Sequence, residues 1–358
     1  MRRIFAVFGL LFASTADAQA PEMKPMEFTA VPPQGPVGLV GNAWHIYAEG
    51  DITDGVAKRL KDFVVQNKVP HNSFIYFNSP GGLVGEALDI GKVIRANHFY
   101  TDIIKQGATI NGKIVDLPGQ CYSSCTYAFL GGAFRWLSVP GSLYGVHRFY
   151  GENISSDDAQ KGSAELLNYI SSMGVDSTLF YETTKAGKDG INILTPARML
   201  QLKVIDNGFK KTEWTVESYK VVNVDKLYVK GERDTWLGVN KLIVYCSTVN
   251  NKLMLESVFD VGSIRDEVKA LPSQFLVMDN IRYPIDQLRA GPVTITEPNG
   301  YIQAIYSLTP EYATLLMKAK TAGVYFKESA TAPNYHGFDK MDLGDGIAKM
   351  SGFIGVCH

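Results

Sequence analysis

Ser123 and His147 are the residues whose types and surroundings favour nucleophilic catalysis in this chain of 358 residues. Ser123 lies in the predicted turn at residues 119–125, before an apolar helix-like segment. His147 directly follows the apolar segment 143–146. A serine hydroxyl is a weak nucleophile at neutral pH and needs an adjacent base. Imidazole titrates near neutral pH and suits that role. The alternatives are that Ser123 and Ser124 cap a helix, and that His147 is a core residue.

A glycine pair, Gly81 and Gly82, follows the short apolar segment 74–77 and the residues 78–80. A turn between a strand and a helix presents backbone N–H groups, because the first helical N–H groups have no internal partner. Glycine allows the backbone there to approach a substrate closely. We therefore predict that the backbone of Gly82 and Ser124 forms an oxyanion site, with Gly81 beside the substrate. The simpler alternative is a structural strand-to-helix turn.

The spacing of these motifs resembles the Clp protease proteolytic subunit and its relatives in the Clp/crotonase superfamily. The family's Asn-Ser-Pro-Gly-Gly motif stands at residues 78–82, and His147 follows Pro140 by seven residues, as the family's base does. Residues 194–200 and 204–206 are similar to the family's closing segment. The five-residue motif alone is weak evidence. Together with the spacing of Ser123 and His147 and with the closing segment, it carries the resemblance.

This resemblance covers residues 44–209, about half of the chain, and implies roles for single residues. Counted back from Gly132, Ser123 is in register with the family's nucleophile, and Ser124 is its rival. His147 corresponds to the general base. The resemblance also implies a parallel sheet with helices, built from ββα units, and a peptide or protein substrate.

The third member of a catalytic triad is where the chain departs from the family. The family's aspartate position is occupied by Ile191, and Asp189 stands two residues away, near Lys185 and Lys188. An insertion would bring Asp189 into place as the third member. Otherwise the site works as a Ser–His dyad or is impaired. A Ser–Lys dyad, as in signal peptide peptidases of the same superfamily, is a further alternative.

The first twenty residues have the pattern of a secretory signal peptide. A basic start precedes about ten apolar residues, too few to span a bilayer, and small residues follow at residues 16–20. We therefore predict an exported protein, periplasmic or extracellular, with no stable membrane anchor after cleavage. Residues 21–42 contain five prolines and little periodicity, which predicts an extended linker or arm.

The rest of the chain predicts two domains. Strand and helix patterns alternate over residues 43–212, which favours an α/β parallel sheet with right-handed crossovers and a hairpin at residues 108–116. Residues 213–358 predict a smaller, mainly β, α+β domain. Its expected strands are 218–224, 242–246, 253–259, 293–296 and 301–307, and its expected helices are 310–320 and 344–354.

The four cysteines form an even set, as is typical of an exported chain. Cys246 and Cys357 are predicted to pair, tying the terminal helix to the second domain's sheet. Cys121 and Cys125 flank Ser123 and would form a disulfide or a redox-responsive pair, which sequence does not distinguish. A zinc site would need two further ligands at metal-binding spacing, so no metal or other cofactor is predicted.

Together these features predict an exported serine hydrolase that cleaves peptide bonds, with a peptide or protein as its partner and a possible homo-oligomeric assembly. The net charge of −1 gives no electrostatic case for nucleic-acid binding. The alternative from another class is a non-catalytic binding or assembly protein that keeps the crotonase fold. The missing aspartate favours that alternative, whereas the Ser–His pair with its glycine turn favours the enzyme.

Overall fold

The computed structural model describes residues 24–32, 43–110, 113–151, 155–187, 189–221, 224–262, 264–297 and 299–357. It is a mixed α/β structure with several sheets. The predicted signal peptide, the turn at residues 111–112 and Lys188 lie outside the described residues, as does most of the predicted arm.

The first part of the chain alternates strands and helices. In chain order these are β1 (Glu27–Val31), β2 (His45–Glu49), α1 (Val56–Gln66), β3 (Phe74–Asn78), α2 (Val84–Ala96), β4 (Tyr100–Asp102), β5 (Ile104–Ile110), β6 (Lys113–Pro118), β7 (Gln120–Tyr122), α3 (Cys125–Leu130), β8 (Leu143–Val146), α4 (Ser156–Ser172), α5 (Thr178–Thr184), β9 (Asn192–Ile193) and α6 (Pro196–Gln201). The apolar spacing of α1 explains its packing, because Val56, Leu60 and Val64 fall on one face and are all buried.

Strands β2, β3 and β4 pair in parallel, as the alternating pattern predicts. Strand β1 adds to this sheet antiparallel to β2, so part of the predicted arm is a paired strand. Strand β7 pairs in parallel with β8, and β9 completes that sheet in antiparallel orientation. Strands β5 and β6 form the predicted hairpin, which is longer than the expected 108–116.

Ser79 joins the two sheets immediately after β3. Its backbone N–H donates to the carbonyl of Gln120 at 2.7 Å, and its carbonyl accepts from the N–H of Tyr122 at 3.0 Å. The chain after β3 therefore runs beside β7, which brings the glycine pair of residues 81–82 next to the turn that carries Ser123.

Two arginines, the half-buried Arg95 and the buried Arg135, fix the far end of α3. Arg95 Nε donates to the carbonyl of Gly131 at 2.9 Å, and Arg135 Nη1 donates to that of Gly132 at 2.9 Å. Burial lowers the pKa of Arg135. Carbonyl groups at the end of a helix have no hydrogen-bond donors within the helix. The two guanidinium groups donate to carbonyls at this end and so hold α3 in position.

The second part of the chain is mainly β. It contains β10 (Glu213–Val221), β11 (Val224–Thr235), β12 (Gly238–Cys246), β13 (Leu253–Phe259), α7 (Arg265–Lys269), β14 (Ser273–Met278), β15 (Ile281–Pro284), β16 (Thr294–Ile295), β17 (Ile302–Ser307), α8 (Pro310–Lys318), β18 (Thr321–Lys327), β19 (His336–Asp342) and α9 (Gly346–Ile354). One sheet has the order β10-β11-β12-β13-β17-β16, and the other has the order β15-β14-β18-β19.

The buried apolar side chains fall into two main clusters, one drawn from residues 26–205 and one from residues 214–350. The two parts meet where Gly208 lies between Trp136 and Trp236, at a φ of +84°. Tyr100 Oη donates to the carbonyl of Trp236 at 2.9 Å across the same contact. The clusters are compatible with the predicted division near residue 212, which stays a prediction.

Cys246 and Cys357 form a disulfide, which is the predicted pairing. Cys357 follows α9 and Cys246 ends β12, so the bond ties the terminal helix to the six-stranded sheet. In the described part of the chain, no helix is long and apolar enough to cross a membrane.

Candidate active site

Ser123 occupies the turn between β7 and α3 in a left-handed backbone conformation, with a φ of 55°. Its N–H donates to the carbonyl of Gly145 on β8 at 2.9 Å. A positive φ is uncommon for a residue with a Cβ atom and costs about 1–3 kcal/mol, so the surroundings must hold it. Ser123 is half-buried and lies where the parallel strands β7 and β8 end.

Ser124, the rival nucleophile, is only 1% exposed. Its Oγ is buried and, among the described residues, has no hydrogen-bond partner. The side chain also makes no capping hydrogen bond to α3 in this part of the chain. A hydroxyl closed off from solvent cannot meet a substrate, so Ser123 carries the accessible hydroxyl of the pair.

Gly81 and Gly82 lie against this turn, and their backbone shape requires glycine. A Cβ on Gly81 would lie 2.7 Å from Ser123 Cβ and 3.1 Å from the Ser124 nitrogen. Gly82, with a φ of +144°, would place a Cβ 2.2 Å from the carbonyl oxygen of Ile52. Gly81 therefore holds the backbone in contact with the serine turn, and Gly82 holds it in contact with Ile52.

Two backbone donors at this turn lack acceptors. Ile52 bonds to the C=O of Gly81 and to the N–H of Leu83, so the N–H of Gly82 points to the opposite side, where β7 lies. Within the described residues, neither this N–H nor that of Ser124 has an acceptor. Unpaired N–H groups beside a serine are the arrangement that stabilises an oxyanion.

His147 follows β8 and is 9% exposed. Its Nδ1 lies 2.7 Å from the carbonyl oxygen of Arg148. A carbonyl only accepts, so Nδ1 carries the proton and Nε2 keeps a lone pair, which is the tautomer that a general base needs. Tyr122 stands opposite Gly145 in the β7–β8 register, which puts the ends of the two strands side by side.

Ser123 follows β7 and His147 follows β8, so the parallel pairing of these two strands places both residues at the same edge of the sheet. In the described part of the chain, no hydrogen bond joins Ser123 Oγ to His147. Catalytic hydrogen bonds of this kind are often long in the absence of substrate and tighten when it binds.

Asp189, the candidate third member, is exposed. Its carboxylate makes no hydrogen bond or ion pair among the described residues, and so none with His147. The neighbouring Ala186 instead accepts a hydrogen bond from the backbone N–H of Arg148 at 3.1 Å. The segment therefore contacts Arg148, the residue after the histidine, and the carbonyl of Arg148 is the hydrogen-bond partner of His147 Nδ1.

Glu182 is a buried carboxylate near the site that the sequence did not single out. Its Oε1 accepts from Arg198 at 2.6 Å, and its Oε2 from Lys185 at 2.6 Å. Asn192 Nδ2, on the strand that pairs with β8, donates to the same carboxylate at 3.2 Å. Burial opposes ionisation, but these three partners outweigh it and lower the pKa of Glu182. The ammonium group of Lys185, a lysine that a Ser–Lys dyad could use as its base, is thereby engaged in an ion pair with Glu182.

Cys121 and Cys125 form a disulfide that brackets Ser123, and both residues are fully buried. The bond links the end of β7 to the start of α3 and so restrains the turn. In the described part of the chain, no three His, Cys, Asp or Glu residues are grouped so as to hold a metal ion.

Solved structures of proteases are similar to part of this chain. A mutant of the 1510-N membrane-bound stomatin-specific protease is 21% identical, with a TM-score of 0.31 over 45% of this chain and 75% of that chain. Another mutant, in complex with a substrate peptide, is 21% identical, with a TM-score of 0.32 over 45% and 71% of the two chains. ClpP1 from Listeria monocytogenes is 15% identical, with a TM-score of 0.34 over 45% and 88%.

Protein-family models give no match for this chain, and no curated protein matches it. The similarity to the solved proteases has low TM-scores and covers less than half of the chain, so neither family membership nor an activity follows from it.

Proposed function

We propose that this protein is a serine hydrolase that cleaves peptide bonds, with Ser123 as nucleophile and His147 as general base. The observation that carries the proposal is a combination at one turn. Ser123 has a left-handed conformation, and the N–H groups of Gly82 and Ser124 have no acceptor among the described residues. A structural strand-to-helix turn also leaves N–H groups at the start of its helix without partners, but it does not need the left-handed φ of a serine.

In the proposed mechanism, Ser123 Oγ attacks the substrate carbonyl while His147 Nε2 takes its proton. The negative charge that develops on the carbonyl oxygen is stabilised by the N–H groups of Gly82 and Ser124. The imidazolium then gives its proton to the departing amine, which leaves an acyl-enzyme. A water molecule, deprotonated by the same nitrogen, hydrolyses that ester and restores the free serine.

The carbonyl of Arg148 takes over one role of a triad aspartate in this proposal. An aspartate holds the proton on Nδ1 and stabilises the imidazolium that forms. A neutral carbonyl 2.7 Å from Nδ1 fixes the same tautomer, but contributes only a dipole to the second task. The proposal is therefore a Ser–His dyad, with Asp189 outside it.

The first test is labelling of the purified protein by a fluorophosphonate probe. We expect the wild-type protein to label, Ser123→Ala and His147→Ala to lose labelling, and the double variant to behave like either single one, because members of one catalytic unit are not additive. Ser124→Ala is the matched control and should label normally, since its N–H is retained. Labelling that persists in Ser123→Ala would refute the assignment.

The second candidate function is a binding or assembly protein without catalysis. The observation that favours it is the exposed Asp189, which leaves His147 without a carboxylate partner among the described residues. Absence of labelling in the folded wild-type protein, together with no cleavage of a fluorogenic peptide library, would favour this second function.

A further inference from the structure

The outward face of the six-stranded sheet carries a cluster of tyrosines, remote in sequence from Ser123. Tyr219, Tyr228 and Tyr245 come from β10, β11 and β12, and each is half-buried. Side chains alternate between the faces of a strand, and the inward neighbours Val229 and Val244 belong to the apolar core. The three rings therefore share the face that points away from that core.

Strand register brings these rings together. Tyr228 stands directly opposite Tyr245, and the rings of Tyr219 and Tyr228 lie 6.0 Å apart between centroids at an angle of 56°. With Ile243, they line a cavity of about 410 Å³. A cavity of this size is in the range of small-molecule sites.

Glu256 is the carboxylate of this cavity and has no cationic partner among the described residues. Glu256 lies on β13, directly opposite Ile243 on β12. Its one hydrogen bond in this part of the chain comes from Gln303 Nε2, at 2.6 Å. Burial raises the pKa of Glu256, against the smaller opposing effect of that hydrogen bond. Glu256 is half-buried. A carboxylate that is partly removed from water and has no cationic partner in the described part of the chain is costly, and a cation placed beside it would offset the cost.

The two lysines of the cavity are already paired with other carboxylates. Lys230 Nζ lies 2.8 Å from Glu217 and 3.2 Å from Glu232, and Lys241 Nζ lies 2.9 Å from Glu232. Both ammonium groups are thus paired with other carboxylates, and neither forms an ion pair with Glu256 in the described part of the chain. Burial, and then the charge of Glu256, raises the pKa of Tyr245 to about 12, so that phenol is neutral at physiological pH.

We propose that this cavity binds an organic cation, with an ammonium group held between the tyrosine rings and the carboxylate of Glu256. Aromatic faces attract cations through their negative quadrupole, and several rings around one carboxylate form the arrangement that recognises ammonium groups. The two sources of such a group are a small free ammonium compound and the side chain of a lysine in a polypeptide. This site is separate from the Ser123 turn and does not depend on the proposed hydrolase activity.

Calorimetric titration of the full chain tests the proposal with matched probes. Choline carries the cation, 3,3-dimethylbutan-1-ol has the same shape without charge, and Nα-acetyl-lysine methylamide represents a lysine side chain. We expect at least one cation to bind, and the neutral alcohol to bind at least about tenfold more weakly, since cation–aromatic and charge contacts are worth about 1–2 kcal/mol. Which cation binds more tightly identifies the source.

Three variants complete the test. Glu256→Gln and Tyr245→Leu should each weaken cation binding by about tenfold or more, whereas Tyr245→Phe keeps the ring and should stay within about threefold. Glu311→Gln removes one exposed carboxylate from α8 and serves as the control for overall charge, with unchanged binding. Circular dichroism melting confirms that each variant is folded. Equal binding of choline and the alcohol, no binding of either cation, or a Glu256→Gln variant that binds as the wild type would overturn the proposal.

Discussion

At the scale of single residues, His147 is oriented by a backbone carbonyl and not by a side chain. A neutral imidazole has one donor and one acceptor nitrogen, and its hydrogen bonds decide which is which. The carbonyl of Arg148 accepts from Nδ1 at 2.7 Å, which assigns the lone pair to Nε2. Sequence spacing could propose the histidine, but a main-chain acceptor has no residue identity, so no sequence pattern could have indicated it.

Gly82 offers a stability prediction for the turn. Gly82→Ala should destabilise the protein by about 2 kcal/mol or more, because the new Cβ would meet the carbonyl oxygen of Ile52 at 2.2 Å and backbone on both sides would have to move. If the hydrolase proposal holds, the rate should also fall by about 10²–10³, the cost of losing one oxyanion donor. Urea unfolding and peptide hydrolysis measure the two effects.

Gly85 provides the matched control for that variant. It lies in α2, and a Cβ there would have no atom within 4 Å apart from its chain neighbours and the backbone of its own helix. Gly85→Ala should therefore leave activity unchanged and raise the free energy of unfolding by up to about 1 kcal/mol, since alanine loses less backbone entropy in a helix. A Gly82→Ala protein as stable as the wild type would contradict the close approach to Ile52.

At the scale of elements, apolar segments were predicted well and charged strands were not. The segments 74–77 and 253–259 are largely apolar, and the structure has β3 and β13 there. Strand β11 was missed because its outward face carries Lys230 and Glu232 and its centre carries Gly231. Those residues suit the strand only through partners on β10 and β12, such as Trp214 packed over Gly231. Such pairs are distant in sequence.

The same limit applies to the site. The serine, histidine and glycines lie in local motifs, so their proximity could be predicted from strand ends. Glu182 could not be predicted, because it lies on α5 and its partners Arg198 and Asn192 lie on α6 and β9. Only the folded structure brings these three elements together. Strands β14, β15, β18 and β19 were likewise not predicted, whereas β13, β17, α8 and α9 were.

Glu182 gives a prediction on pH. Its pKa is lowered in the folded protein, so its contribution to stability is present above the unfolded pKa of about 4.3 and is lost as the pH falls through the folded value. Glu182→Gln should therefore cost about 2 kcal/mol at pH 7, because charged hydrogen bonds are lost, and the difference from the wild type should shrink at about pH 3.5. Urea unfolding at the two pH values measures it.

Glu165→Gln is the control for this pH experiment. Glu165 lies exposed on α4, and surface substitutions usually change stability by less than about 0.5 kcal/mol. Its variant should therefore match the wild type at both pH values. A Glu182→Gln deficit that stays constant down to low pH would mean that packing, rather than the charge of the carboxylate, holds α5 to α6.

At the scale of the whole molecule, the two parts of the chain are held by different means. The first part encloses its core between strands and helices and contains the short Cys121–Cys125 bond at its turn. The second part closes with α9, whose Gly346 packs against the ring of Trp214. Lys349 Nζ donates to the carbonyl of Trp214 at 2.8 Å, across the same contact. The end of the chain is thus needed to cover the sheet that carries the tyrosine cavity.

The Cys246–Cys357 disulfide should determine how firmly this end is held. It spans a sequence separation of 111 residues, for which the chain-entropy model gives about 4–5 kcal/mol. The double variant Cys246→Ser/Cys357→Ser should lower stability by an amount of this order. Hydrogen exchange should speed up first across residues 240–357, and protection of the Ser123 turn should be unchanged, because its core is a separate cluster.

Mild reduction gives an independent measurement of the same bond. Cys121 and Cys125 are fully buried, whereas Cys246 and Cys357 are partly exposed, and a thiolate attacks the disulfide that it can reach. A low concentration of reductant should therefore open the Cys246–Cys357 bond alone and reproduce the exchange pattern of the double variant. Peptide mapping without reduction identifies the bonds directly. A crosslink from Cys246 to Cys121 or Cys125 would contradict the pairing, and faster exchange around Ser123 after mild reduction would contradict the separation of the two cores.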